Sequence, residues 1–427
     1  MAAGRTVGLW GATGIGAGAM LGAGVFAVWG PATQQAGLLL VWAVVLASVV
    51  AVLNALSTAQ LAAVHPVAGG AYTFGRRETH RYAGFVAGIG FVVGKTASVA
   101  AIALAIGSYL WPAQPQVVAV AAIVAGWALN ARGVTRTALV ATVISSGVVI
   151  ALVAFMILAL GAQGAAPDRA TESSTAPALE STSSLDLSSA GGVLGAAGLI
   201  FFAFAGYARI ATLGEEVNNP SRTIPRAILL ALGGVLVVYL ALAVVLMSVV
   251  GADQLAGSTT PVADLVAATA VPAVLVAVIA AIAAFGSLVA LMAGVGRTTM
   301  AMGREGDVPR TLARQGATGV PWLAEGVSGA VALMLVAVGD LGFAIAMSSF
   351  AVLVYYAVAN ISAAQARRAG HVSGLRLWPG VSVAGAVLCA VLALALPWEA
   401  IAASAGALVV AVLARVIVDR RGMAPPL

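Results

Sequence analysis

Charged residues are scarce in this sequence: Asp, Glu, Lys and Arg make up 8% of its 427 residues, against 61% hydrophobic and a mean hydropathy of +1.05. Soluble chains carry about 25% charged residues, so a water-soluble domain is excluded. Cysteine is nearly absent, and the single Cys389 rules out an intramolecular disulfide and a cysteine-rich metal centre. Histidine is almost as rare. His65, His80 and His371 all fall in polar connections, so neither a membrane histidine relay nor a His-ligated metal is indicated. An embedded enzyme would need a catalytic constellation, and no HExxH, intramembrane His pair or paired Asp site is present. The full G-x-x-x-x-G-K-[ST] phosphate-binding pattern is also missing, which argues against an ATP-driven pump. No metal and no cofactor is expected.

What remains is a series of apolar runs, each long enough to cross a bilayer. Twelve are read, at about 8–30, 36–61, 82–111, 115–131, 139–161, 192–214, 226–250, 272–298, 321–340, 343–365, 378–396 and 398–416. The net charge of +6 resolves into topology. With both termini in the cytoplasm, 18 of the 21 basic residues lie in inside segments, Arg169 lies outside, and Lys95 and Arg209 lie within spans. A nucleic-acid partner is therefore not expected; the lipid bilayer is. Arg5 leads into a full glycine-rich span with no small-residue cleavage site, so no cleaved leader is expected. Residues 162–191, rich in Ser, Thr, Ala and Pro, read as a solvated extracytoplasmic linker.

Residues 14–26 (GIGAGAMLGAGVF) concentrate glycine inside the first span, most densely at Gly22-Ala23-Gly24. Two readings stand: a close helix–helix contact through small-xxx-small spacing, or a local unwinding whose freed N–H and C=O groups bind a ligand. The sixth span repeats the feature. Gly206 sits in its middle between Phe204 and Tyr207, and the span runs into Glu215, Glu216 and two prolines, Pro220 and Pro225, that mark a helix stop and a fresh start. Each interrupted span opens a set of five, and an odd number of spans per set inverts one half relative to the other. Broken spans in corresponding positions point to a transporter with its site at the midplane. The connection 65–77 mixes Pro66, Gly69, Gly70 and aromatics with arginines; it is either a topology-holding turn or a gate.

These motifs resemble the amino acid–polyamine–organocation superfamily of permeases, which share the LeuT-like fold. The resemblance rests on residues 16–26, 66–72 (PVAGGAY), 130–134 (NARGV), 202–207 (FAFAGY), 215–220 (EEVNNP) and 297–309 (RTTMAMGREGDVP). It implies an all-α membrane protein of twelve transmembrane helices. The five-plus-five inverted repeat would occupy 1–161 and 192–366, with helices one and six broken, and two further helices would lie in 367–427. It also implies a site. The substrate carboxylate would sit on the N–H groups of Gly22, Ala23 and Gly24. The ammonium would sit on carbonyls of Met20, Leu21, Phe204 and Ala205, with Phe204 and Tyr207 flanking Gly206 as an aromatic lid. Tyr207 serves equally well as ordinary packing.

Lys95 lies near the middle of span three, where a charge costs about 2.5–3.5 kcal/mol, so it is expected to face the bundle interior. Several sodium-independent members of the superfamily carry a lysine in span five, in place of a bound sodium ion. Here the matching residues 142–148 (TVISSGV) are uncharged, and Lys95 is the candidate to take over the internal-cation or proton-carrier role. Arg209 is expected to close an inner gate with Glu215 or Glu216, or to attract an anionic side chain. Glu325 is expected to pair with a loop arginine, and Ser287 is a possible oxygen ligand for sodium. The function implied is secondary transport of amino acids across the cytoplasmic membrane, proton-coupled or by exchange. Amino-acid export, polyamine transport and non-transporting sensing are the alternatives. Oligomeric state is not indicated.

Overall fold

A bilayer core offers no water to the backbone, so each crossing segment must close its own hydrogen bonds as a helix. The described residues follow that rule: helices account for nearly all of them, and the only β contact is an isolated bridge between Val7 and Val217. The structure, a computed structural model, describes residues 7–22, 24–66, 69–133, 138–164, 187–214, 216–371 and 378–420.

The first interrupted span is α1 (Leu9–Leu21) and α2 (Gly24–Ala27), with α3 (Trp29–Ala36) turning into α4 (Leu40–Val64). Then come α5 (Ala71–Glu78), α6 (Arg81–Leu110), α7 (Pro115–Ala131) and α8 (Ala138–Gly164). The second interrupted span is α9 (Leu187–Phe204), a 3-10 turn at Ala205–Tyr207 and α10 (Ala208–Ala211). The chain continues through α11 (Pro220–Val249), α12 (Ala252–Ala256), α13 (Pro261–Leu265) and α14 (Ala273–Arg304). It ends with α15 (Trp322–Val338), α16 (Leu341–Arg368), α17 (Pro379–Leu394) and α18 (Trp398–Arg420).

Nine helical segments among the described residues are long and apolar enough to cross a membrane. The helices α7, α15 and α17, of 17, 17 and 16 residues, coincide with three further expected spans. At about 25 Å for 17 residues they stand at the short end of what a crossing requires. Two expectations shift. Helix α11 begins at Pro220, not near 226: Asn219 takes a left-handed conformation (φ 46°), Pro220 opens the first turn and Pro225 stays inside the helix. The connection read as 162–191 is shortened by α8 and α9 on either side, and residues 165–186 lie outside the described residues.

The bundle has a centre and a lipid face. In the most apolar window of α6 83% of residues are buried, against 11% for α18, so α6 runs through the interior and α18 along the outside. On α8, Val143, Ile150 and Ile157 are exposed at seven-residue spacing, and on α11 Leu230, Val237 and Val244 repeat the pattern. Such apolar stripes suit lipid contact and would be costly in water. Packing comes in matched pairs: α4 lies on α11 and α6 on α14, while α1 on α11 is mirrored by α9 on α4.

One end of the bundle is rich in arginine and is tied by ion pairs. Asp307 accepts from Arg76 (2.6 Å) and Tyr72 (2.7 Å) and faces Arg415 (3.2 Å), joining α5, the turn after α14 and α18. Asp419 pairs with Arg81 and accepts from Tyr82. The opposite connections 111–114, 250–272, 339–340 and 395–397 contain no Lys or Arg.

Candidate functional site

The two interrupted spans cross each other at their breaks. A Cβ on Gly206 would fall 2.5 Å from the Ala19 carbonyl carbon and 2.6 Å from the Met20 nitrogen, and one on Gly24 would fall 2.5 Å from Ala203 Cα. Glycine is required there because backbone meets backbone. The first break lies between the end of α1 at Leu21 and the start of α2 at Gly24, while the second is a tightened 3-10 turn at Ala205–Tyr207. Ala23 lies outside the described residues.

Around this crossing lies an open cavity of about 1020 Å³, with a second of about 340 Å³ beside it. The larger is lined by Ala205, Gly206, Lys95, Phe91, Ser287 and Arg209 in its depth and by Arg297, Arg304 and Thr318 toward the arginine-rich end. The smaller touches Gly18, Leu21 and Gly22 of the first span and shares Arg209, Ser287 and Asn130 with the larger. A single concave region therefore meets both breaks.

Lys95 is the charged group at its core. Its side chain comes from mid-α6, is 5% exposed, and its Nζ donates to the Ala205 carbonyl at 3.2 Å. The Tyr356 hydroxyl approaches the same oxygen at 3.4 Å. The Met20 carbonyl in turn accepts from the Tyr239 hydroxyl at 2.7 Å, and Tyr239 also reaches the Ala203 carbonyl at 3.3 Å. Two of the four carbonyls expected to hold an ammonium thus already accept donors from the protein, and that of Ala205 has one on each of its two lone pairs.

The aromatic lid is not where the sequence places it. Phe204 and Tyr207 are fully buried and line neither cavity. Because α1 covers the Gly206 face of the break, the flanking rings turn into the bundle: Phe204 packs on Tyr239 (5.0 Å) and Tyr207 on Tyr356 (5.2 Å). The aromatic that lines the cavity is Phe91 of α6, braced by Tyr355 at 5.6 Å. Arg209 lines both cavities and makes no ion pair among the described residues. The expected pairing with Glu216 is replaced by Arg297 of α14, 3.8 Å from Glu216; Glu215 lies outside the described residues. Glu325 makes no ion pair among the described residues either: it is 1% exposed and lines the larger cavity. Ser287 donates its hydroxyl to the Gly18 carbonyl at 3.1 Å, joining α14 to α1.

At the mouth, Gly69 (φ 110°) and Gly70 (φ 54°) make the bend before α5 in a region that favours glycine. Tyr72 follows. Burial and its hydrogen bond to Asp307 hold its phenol well above the ordinary value, so it stays a proton donor to that carboxylate. Tyr239 and Tyr356 were not singled out from sequence. Their signal was a hydroxyl in the middle of an apolar span, which must find a partner at that depth.

A multi-pass helical bundle whose two interrupted spans meet at an interior cavity defines a membrane transporter. The chain belongs to the amino acid permease family, whose sequence profile, described as "Amino acid permease", matches residues 7–418. An uncharacterized transporter of Mycobacterium tuberculosis is 46% identical over 428 residues, covering 98% of this chain and 92% of the relative. An inner membrane transport protein of Escherichia coli is 29% identical over 270 residues, covering 59% of this chain and 57% of its own. Cationic amino acid transporter 5 of Arabidopsis thaliana is 28% identical over 250 residues, covering 54% of this chain and 42% of the relative. In fold, the chain matches the solved structure of a manganese transporter variant from Eremococcus coleocola, with a TM-score of 0.55 at 15% identity. That match covers 97% of this chain and 95% of the other.

Proposed function

We propose that this protein is a sodium-independent amino acid permease of the cytoplasmic membrane, both termini inside, working by alternating access and driven by protons or by exchange. The observation that carries this reading is the Lys95 ammonium bound to the Ala205 carbonyl, inside the cavity where the two interrupted spans meet. A resident cation on the second break gives the positive charge that a sodium ion would otherwise bring. The matched packing of α4 on α11 and α6 on α14 supports two inverted halves, 1–161 and 192–366. In this reading the N–H groups around Gly22 and Gly24 receive the substrate carboxylate, and the carbonyls of Leu21 and Phe204 the ammonium. Phe91 packs over the side chain.

The charged lining sets the preference. Lys95, Arg209, Arg297 and Arg304 face the cavity against Glu216 and Glu325, a balance that favours neutral or anionic amino acids over cationic ones and polyamines. The test is uptake of a radiolabelled amino-acid panel into proteoliposomes, with and without sodium and with and without an imposed proton gradient, for wild type and Lys95→Ala. Sodium-independent uptake that is lost in the variant supports the reading. Uptake that requires sodium, or no transport of any panel member, overturns it.

A further inference from the structure

Glu325 does not behave as a surface acid that has found an arginine. It sits in the first turn of α15, is 1% exposed, and its Oε2 has no hydrogen-bond partner. Its side chain is pressed onto α14: a Cβ on Gly296 would fall 2.4 Å from Glu325 Cγ and 3.1 Å from Oε1. It also lines the large cavity that reaches from the arginine-rich end to Lys95.

A carboxylate so placed has a side-chain hydrogen bond from Asn130 and the nearby charge of Arg297, but its Oε2 is left to whatever water the cavity brings. The positive end of α15 eases the charge but does not replace a hydrogen bond to the unpaired oxygen. Of the elements packed on α15, α14 brings Arg297 and Arg304, α6 brings Lys95, the turn Arg310–Ala313 brings Arg310, and α7 brings no titratable residue but the Asn130 amide that hydrogen-bonds Glu325. None of these makes an ion pair with Glu325, and Arg297 is engaged with Glu216. Closing the cavity from this end expels its water and would strand a buried anion with one oxygen unpartnered, unless the carboxylate has first become neutral.

Resting on the permease reading above, we propose that Glu325 is the proton-carrying group of the transport cycle. Oε2 takes a proton from cavity water as the cavity closes and returns it to water when the cavity reopens. The proton leaves a water-borne donor and forms one O–H bond on the carboxyl; no other bond changes. Closure of the cavity and protonation of Glu325 are then one linked event, and substrate movement acquires a proton requirement.

The experiment compares wild type, Glu325→Gln and Glu325→Asp in proteoliposomes, using one neutral amino acid that wild type transports. Exchange is measured against preloaded substrate over a range of equal internal and external pH, and accumulation under an imposed pH gradient. Coupling of one proton per substrate lets a gradient of one pH unit accumulate substrate about tenfold. Wild type is expected to accumulate in this way. Glu325→Gln is expected still to exchange, at a rate that no longer changes with pH, and to lose accumulation. Glu325→Asp is expected to keep accumulation with its pH midpoint displaced. Wild-type exchange without any response to the proton gradient would overturn the Glu325 role and leave the permease reading standing, whereas absence of wild-type exchange would remove the permease reading itself. Accumulation retained by Glu325→Gln also overturns the role. If Glu325→Gln does not yield a folded, monodisperse protein, Glu325→Asp decides: an unchanged pH midpoint overturns the role.

Discussion

Replacing Lys95 by methionine separates two explanations of a buried lysine that otherwise look alike. Lys95 is the fifteenth of the 30 residues of α6, about 21 Å along the helix from Arg81, too deep for its ammonium to reach either surface. Placing the charge there costs about 2.5–3.5 kcal/mol. The hydrogen bond to the Ala205 carbonyl, from a charged donor at 3.2 Å, returns about 1.5–3 kcal/mol. The two terms nearly cancel. Lys95→Met, similar in length and without the charge, should therefore change global stability by no more than about 1 kcal/mol, a shift of about 4 °C or less in the melting temperature. Transport is expected to fall at least tenfold, because the 3-10 turn at Ala205 loses the donor that binds it to α6 and the cavity loses its resident cation. Melting in detergent and exchange in proteoliposomes read the two quantities on one preparation. Full exchange with an unchanged pH profile refutes the functional role. A melting temperature lowered far beyond that range refutes the cancellation and makes Lys95 a structural tie.

Gly206→Ala drives a methyl into the Ala19–Met20 backbone, where nothing flexible can yield, so about 1–3 kcal/mol of overpacking and a strong loss of transport are expected. Wild-type melting and transport would mean that the two breaks do not meet as described. Tyr239→Phe removes the donor to the Met20 carbonyl and should lower stability by about 1–3 kcal/mol; an unchanged melt in detergent would show that oxygen satisfied by other means. Asp307→Asn weakens the junction of Arg76, Tyr72 and Arg415, which fastens α5 to α14 and α18. Loss of a charged hydrogen bond of about 1.5–3 kcal/mol should appear first as faster hydrogen exchange in α5, read by mass spectrometry, and unaltered exchange there would dismiss the fastening.

Much of the architecture was already legible in the residues. The expected span 115–131 and helix α7 share both ends, and the span at 82–111 differs from α6 by one residue at each end. The glycine cluster at 14–24 and the single Gly206 marked the two interruptions, and Lys95 stood out as a charge with no surface within reach. What the residues left open was direction. Phe204 and Tyr207 flank the break in sequence and were expected over the substrate, yet both rings point into the bundle. Arg209 and Glu216 are neighbours in the chain and were expected to pair, yet Glu216 meets Arg297 from α14. Glu325 was expected beside a loop arginine and instead presses on Gly296.

The sequence by itself determined the elements, because a bilayer imposes a length on every apolar run and a helical answer to every backbone amide. It determined the lopsided placement of arginine and the two places where the helix cannot run on regularly. Only the tertiary structure decided which acceptor each buried donor finds. Lys95 reaches a carbonyl 110 residues away, Tyr239 one 219 residues away and Ser287 one 269 residues away. The physical reason is that helices apolar on every side carry no pattern that says which face meets which neighbour. Where periodicity is silent, the pairing of polar groups is set by how the helices pack against one another.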